Sequence, residues 1–281
     1  MAGSVIDSPA GTVALFISGS GPTDRNGNAP HLRTDAIKLL AVQLAERGIA
    51  SLRFDKRFSG KTTVASKTEE QITLDRYTKD AAHWLSLARE RFPGRPVFAV
   101  GHSQGGIVAL RLSQVAVVDG LVLIATPGRS MGDIVIEQLK NAGSSSAVVS
   151  TARDILTRLM ARQPVGAVPS SLRALFRPGV YPFWRSALAF EAPGALASFE
   201  KPVLLIFGGR DLQVTPFDHE LFVTAKPGVA TRTFATMNHV LRSSSAAREE
   251  NLALYGKPDT PLQPGLSDSI ADFLSYNGNP N

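Results

Sequence analysis

Short β-forming runs recur along this chain, separated by helix-length stretches, and this alternation limits its possible folds more than any other feature. The runs are residues 13–18, 49–54, 97–100, 120–125, 203–207 and 230–234. Most are continuously apolar, as expected for strands buried on both faces of a parallel sheet covered by helices. Between the first two, residues 34–47 place Ile37, Leu40 and Leu44 on one helical face, with Gly48 suited to end the helix. Residues 74–92, 103–115, 217–225 and 267–276 read as further helices. The pattern predicts an α/β protein with a doubly wound, mostly parallel sheet.

Residues 127–198 break the rhythm. No strand is evident there, and helical pieces at 131–141 and 151–161 are divided by Gly, Ser and Pro. A connection of this length far exceeds the usual few residues. It is expected to be an inserted helical cap over the C-terminal ends of the strands, with residues 1–126 and 199–281 forming the core. The cap segment holds seven Arg and one Lys against two Asp and two Glu, which suggests affinity for an anionic substrate. Its Phe176, Tyr181, Phe183, Trp184 and Phe190 are candidates to wall an apolar pocket or simply to pack the cap onto the core.

Composition removes several classes of function. The 281 residues contain no cysteine, so disulfides, thiolate nucleophiles and cysteine metal sites are excluded. The net charge of +6 comes from scattered Lys and Arg with no basic block, so no nucleic-acid partner is expected. No apolar run approaches the roughly 20 residues of a membrane span. No charged region followed by an apolar one marks a signal peptide, so a cytoplasmic location is expected. Nothing in the sequence indicates an oligomeric state.

The sharpest local signal is Gly101-His102-Ser103-Gln104-Gly105, which follows one predicted strand and opens a helix. A strand that turns abruptly into a helix around one serine needs small residues two before and two after it. Such a turn lifts the hydroxyl to the rim of the sheet, near the positive end of the helix. A serine nucleophile needs a base. Of five histidines, His83 and His219 fall in helices, His31 precedes the first helix, and His102 sits inside the turn pointing away from the serine. His239 follows the last predicted strand, at the end where open α/β sheets place active groups. The base needs a carboxylate to fix its tautomer. Asp211 ends the strand at 203–207 after two glycines that allow a tight turn; Asp218 competes, but lies within the next helix and is expected to face solvent. The order Ser103, Asp211, His239 is one that known triads use. The backbone N–H groups of Gln104 and Ser20 are candidate oxyanion donors, Ser20 lying in the glycine-rich loop after the first run.

With these residues the chain resembles a serine-dependent α/β-hydrolase. The loop Gly19-Ser20-Gly21-Pro22-Thr23-Asp24-Arg25-Asn26-Gly27-Asn28 is similar to that of bacterial esterases and dipeptidyl-peptidase-like hydrolases. These relatives also carry D-K-R-G-x-G-x-S; here Asp55-Lys56-Arg57-Phe58-Ser59-Gly60-Lys61-Thr62 puts Phe58 in place of the first glycine. Such relatives often carry extra N-terminal strands, and with only a dozen residues before the first run the resemblance implies a sheet trimmed at that edge. The resemblance implies hydrolysis of a small-molecule carboxylic ester through an acyl-enzyme, with no metal or organic cofactor. Peptidase, thioesterase and C–C bond hydrolase chemistry use the same triad and stay open. So does a catalytically silent fold that only binds ligand.

Overall fold

Val13, Leu15 and Ile17 of one strand pack into one apolar layer, while Ala14 and Phe16 pack into another on the opposite face. This two-residue alternation is what a strand buried on both sides requires. The protein is described by a computed structural model that covers residues 1–8, 11–30, 32–63 and 68–278. Its strands are β1 (Gly3–Ile6), β2 (Val13–Ile17), β3 (Ala50–Phe54), β4 (Val97–His102), β5 (Gly120–Ile124), β6 (Val203–Gly208) and β7 (Ala230–Phe234). They form one sheet in the order β1-β3-β2-β4-β5-β6-β7. All pairings are parallel except that of β1 with β3.

The edge strand β1 escapes the sequence reading, because its four residues are too few to show a period. It extends the side of the sheet expected to be trimmed. Gly3 is required there by contact: a Cβ would lie 2.1 Å from the Trp84 ring.

Helices α1 (Ala36–Ala45), α2 (Leu74–Arg91) and α3 (Gln104–Ser113) follow β2, β3 and β4. One apolar layer holds Ala81, Leu85 and Ala88 of α2 with Ile107 and Leu110 of α3. The other holds Ile37 and Leu40 of α1 with Ile270 and Leu274 of a C-terminal helix, Leu266–Gly278.

Between β5 and β6 the described chain has no strand. It forms α4 (Met131–Asn141), α5 (Ser146–Met160), α6 (Arg173–Phe176), α7 (Tyr181–Leu188) and α8 (Ala192–Ala197). Helices α4 to α7 close around a small core of their own that includes Val135, Ile155, Leu159, Phe176 and Trp184. Helix α8 instead packs Ala195 and Leu196 into the sheet layer. Helix α5 begins five residues before the predicted 151, capped by the Ser145 hydroxyl, which accepts from the Val148 N–H at 3.4 Å. Helices α9 (Pro216–Ala225), α10 (Arg248–Ala253) and α11 (Leu266–Gly278) complete the described chain. No helix of the described residues is long and apolar enough to cross a membrane.

Candidate active site

The strand-to-helix turn at the end of β4 forces Ser103 into a sparsely populated backbone conformation, φ 54° and ψ −125°. Such strain is held only where the surroundings dictate it. The Ser103 N–H donates to Ile124 O at 2.8 Å, and its carbonyl accepts from the Gly106 N–H at 2.9 Å. The glycines make the turn possible. A Cβ on Gly101 would lie 2.5 Å from Gly105 O, one on Gly105 2.0 Å from Ile17 O, and one on Gly106 1.9 Å from Thr126 Oγ1.

Asp211 and His239 meet. His239 Nδ1–H donates to Asp211 Oδ2 at 2.8 Å, and both side chains are buried. The other carboxylate oxygen, Oδ1, accepts from the backbone N–H groups of Gln213 at 2.7 Å and Val214 at 3.0 Å. With the proton on Nδ1, Nε2 keeps its lone pair. The glycines before Asp211 form the expected tight turn, closed by the Asp211 N–H donating to Gly208 O at 3.2 Å, and serve a second purpose. Gly208 and Gly209 make room for the histidine loop: their Cβ atoms would lie 2.2 Å from Met237 O and 2.6 Å from Ala235 O. That loop is also pinned by Asn238, whose Oδ1 accepts from the Val240 and Arg242 N–H groups.

His102 does point away from the serine, and it has a use that the sequence did not disclose. Its Nε2 donates to the His239 carbonyl at 2.9 Å, and the two rings lie 5.0 Å apart. A carbonyl only accepts, so Nε2 carries the proton. Burial lowers the His102 pKa to about 4, which keeps the ring neutral. The residue before Ser103 therefore ties the His239 loop to the turn. Among the described residues the Ser103 hydroxyl makes no hydrogen bond, so the serine–histidine contact of a triad is not closed, and His239 is linked to the serine turn through His102. Free enzymes often hold this contact loosely and tighten it on substrate. His83 and His219 lie in α2 and α9 as predicted. His31 is outside the described residues.

Ser20, Ser103 and Gln104 line one cavity of about 400 Å³. Its other walls are mainly apolar and include Met131, Ile134, Val135, Leu175, Phe183 and Trp184. Of the aromatics singled out in the sequence, Phe183 and Trp184 reach this cavity. Phe176 is in the helical core, and Phe190 packs against the sheet layer. Phe58 also lines the cavity, at φ 61°. The left-handed backbone that a glycine would favour is thus retained under an aromatic side chain.

One expectation about charge needs correction. Asp218 does not face solvent; it is fully buried. Its Oδ1 accepts from the N–H groups of Gly128 and Arg129 and from Arg129 Nε, while its Oδ2 accepts from Arg129 Nη2 at 2.8 Å. It also closes a capping box with Thr215 at the start of α9. Asp218 therefore clamps the chain where it leaves β5. Removing one partner of a buried pair strands the other. Asp218→Ala is expected to cost about 3 kcal/mol or more, a fall of roughly 6–12 °C in Tm by calorimetry, with little change in turnover of the folded fraction. The arginines near the cavity are also matched. Arg177 pairs with Glu69 at 2.5 Å, Arg57 with Asp80 at 2.7 Å, and Arg129 with Glu137 as well as Asp218. The arginines at the cavity wall, Arg57 and Arg177, thus each face a carboxylate of their own.

The comparisons with known proteins agree with this architecture. Residues 32–168 match the family model described as serine aminopeptidase, S33. Esterase EstD of Thermotoga maritima is 30% identical over 237 residues, covering 82% of this chain and 54% of EstD. The chain thus spans about half the length of that relative. An esterase of Pyrococcus furiosus, PF2001, superposes with a TM-score of 0.62 at 19% identity, over 99% of this chain and 86% of its own. A proline iminopeptidase of Mycobacterium smegmatis does so with a TM-score of 0.60 at 15% identity, over 98% and 94%. Sheet order, turn and superposed structures together give this chain the fold of the α/β-hydrolases.

Proposed function

We propose that the protein hydrolyses carboxylic esters through an acyl-enzyme formed on Ser103. The observation that carries this reading is the buried Asp211–His239 hydrogen bond on a loop tied through His102 to the strained serine turn. In this mechanism His239 Nε2 takes the Ser103 proton as Oγ attacks the ester carbonyl. The Asp211 carboxylate stabilises the imidazolium. The oxyanion is met by the N–H groups of Ser20 and Gln104. His239 then protonates the leaving alcohol, and water repeats the cycle to release the acid. Residues 127–198 serve as a cap over the site, with α8 at their end held on the core.

The cavity supports an apolar acyl group. Its wall contains one acidic side chain, Glu69, and that carboxylate is engaged by Arg177 at 2.5 and 2.6 Å. The family match and the iminopeptidase likeness favour a second reading, an aminopeptidase. Such an enzyme must hold a substrate ammonium, for which an uncommitted carboxylate in the pocket is the natural partner. The engagement of Glu69 favours the ester.

A panel of p-nitrophenyl esters set against aminoacyl p-nitroanilides tests both. From acetate toward hexanoate, kcat/KM is expected to rise about fourfold per methylene until the cavity is filled. An ester with a terminal carboxylate should lose this gain. Anilides hydrolysed faster than esters would transfer the assignment to the peptidase.

A further inference from the structure

Lys56 is one of the most deeply buried charged residues of this protein, with 3% of its surface exposed. It follows β3, and the described residues offer its amine no carboxylate within ion-pair distance. Nζ donates to the carbonyl oxygen of Gly19 and sits 5.0 Å above the centre of the Tyr77 ring. Burying an amine without a counter-charge is costly, and here burial lowers its pKa to about 7. Apolar packing alone would be served better by methionine, so the amine calls for another explanation.

Its acceptor suggests one. The carbonyl of Gly19 and the N–H of Ser20 are the two ends of one peptide unit. That unit is trans, so the N–H points opposite to the C=O. Holding the oxygen therefore sets the direction of the Ser20 N–H. A donor on the oxygen also polarises the amide and makes its N–H a stronger donor in turn. The peptide is close to the chemistry: a Cβ on Gly19 would lie 3.4 Å from Ser103 Cβ. Two neighbours of Lys56 fasten the same loop. Asp55 accepts from the Arg25 N–H, Nε and Nη2, and Ser59 Oγ donates to Thr23 O at 2.9 Å.

We propose that Lys56 is a positioning residue of the oxyanion hole, gripping the Gly19 carbonyl so that the Ser20 N–H is aimed at, and strengthened toward, the developing oxyanion. It touches no substrate and acts through the peptide unit. The inference rests on the ester-hydrolase reading and extends it to a residue outside the triad.

The test compares wild type, Lys56→Met and Ser103→Ala in the full chain. Methionine keeps the unbranched stem and removes the buried amine, so folding should be retained. Loss of a direct oxyanion donor typically lowers kcat by about 10²–10³-fold, and loss of its support should lower kcat by roughly 10–100-fold. KM should stay within about threefold, because the interaction develops only in the transition state. The Ki of a trifluoromethyl ketone, which forms the tetrahedral adduct, should weaken by the same factor as kcat. Lys56→Gln, which restores a neutral donor, should recover part of the loss. If Lys56→Met does not fold, Lys56→Gln is judged by the same two readings.

A kcat within about twofold of wild type overturns the proposal, as does a lower kcat with unweakened inhibitor. If Ser103→Ala is inactive while Lys56→Met is unimpaired, only the role of Lys56 fails. If the wild type cleaves no ester, or Ser103→Ala cleaves esters at full rate, the hydrolase reading fails and takes this inference with it.

Discussion

Ser103→Ala is expected to lower kcat/KM on the best ester by on the order of 10⁵-fold or more and to leave folding almost untouched. The two halves of this result have separate causes. The Ser103 hydroxyl makes no hydrogen bond among the described residues, so removing it strands no partner. The backbone at φ 54° is as unfavourable for alanine as for serine, and the hydrogen bonds that the Ser103 N–H donates to Ile124 O and that the Ser103 carbonyl accepts from the Gly106 N–H involve main-chain atoms only. Stability should therefore stay within about 0.5 kcal/mol. Without Oγ no acyl-enzyme forms, and only the oxyanion donors and binding remain to assist attack by water. Calorimetry with ester kinetics reads both halves. A fluorophosphonate should label the wild type stoichiometrically and leave the variant unlabelled. A folded variant with full activity would remove Ser103 from the mechanism.

The legibility of this chain follows from how local each signal is. Continuous apolar runs announce strands buried on two faces, and β2 to β6 stand close to where those runs lie. The serine turn was readable because it compresses strand, glycines and helix into a few consecutive residues. Strand β1 was not, since a four-residue edge carries no period and its place depends on pairing with β3, some fifty residues away. Asp218 shows the limit of reading one helix alone. Its position in α9 suggests a solvent face, but the segment that covers it, Gly128-Arg129, arrives from ninety residues earlier. Gly208 and Gly209 announce the turn before Asp211, but not that they also accommodate the histidine loop, a neighbour in space only. The part of Lys56 was hidden in the same way. Its acceptor, Gly19, lies thirty-seven residues back, and nothing in the string Asp55-Lys56-Arg57 tells which of the three charges is buried without an ionic partner.

Asp211→Asn should cost about 10⁴-fold in kcat near neutral pH and change KM far less. The carboxylate accepts on both sides: Oδ2 from His239 Nδ1–H, and Oδ1 from the N–H groups of Gln213 and Val214. The amide that replaces it has one oxygen and one NH₂. The two backbone donors claim the oxygen, so the NH₂ faces His239 and can only donate. His239 must then present a bare Nδ1, and its proton moves to Nε2, the atom that has to receive the serine proton. The ring stays in place with the wrong tautomer, and the negative charge that would stabilise the imidazolium is gone. Asp211→Ala removes the charge but places no donor against Nδ1, so its ring is free to keep the productive tautomer and its loss of kcat should be the smaller of the two. Asp218 supplies the contrast, because its carboxylate is committed to Gly128, Arg129 and Thr215. Its substitution should appear in Tm, whereas that of Asp211 should appear in kcat. Turnover that survives Asp211→Asn within about tenfold, in a folded variant, would mean that another group orients His239.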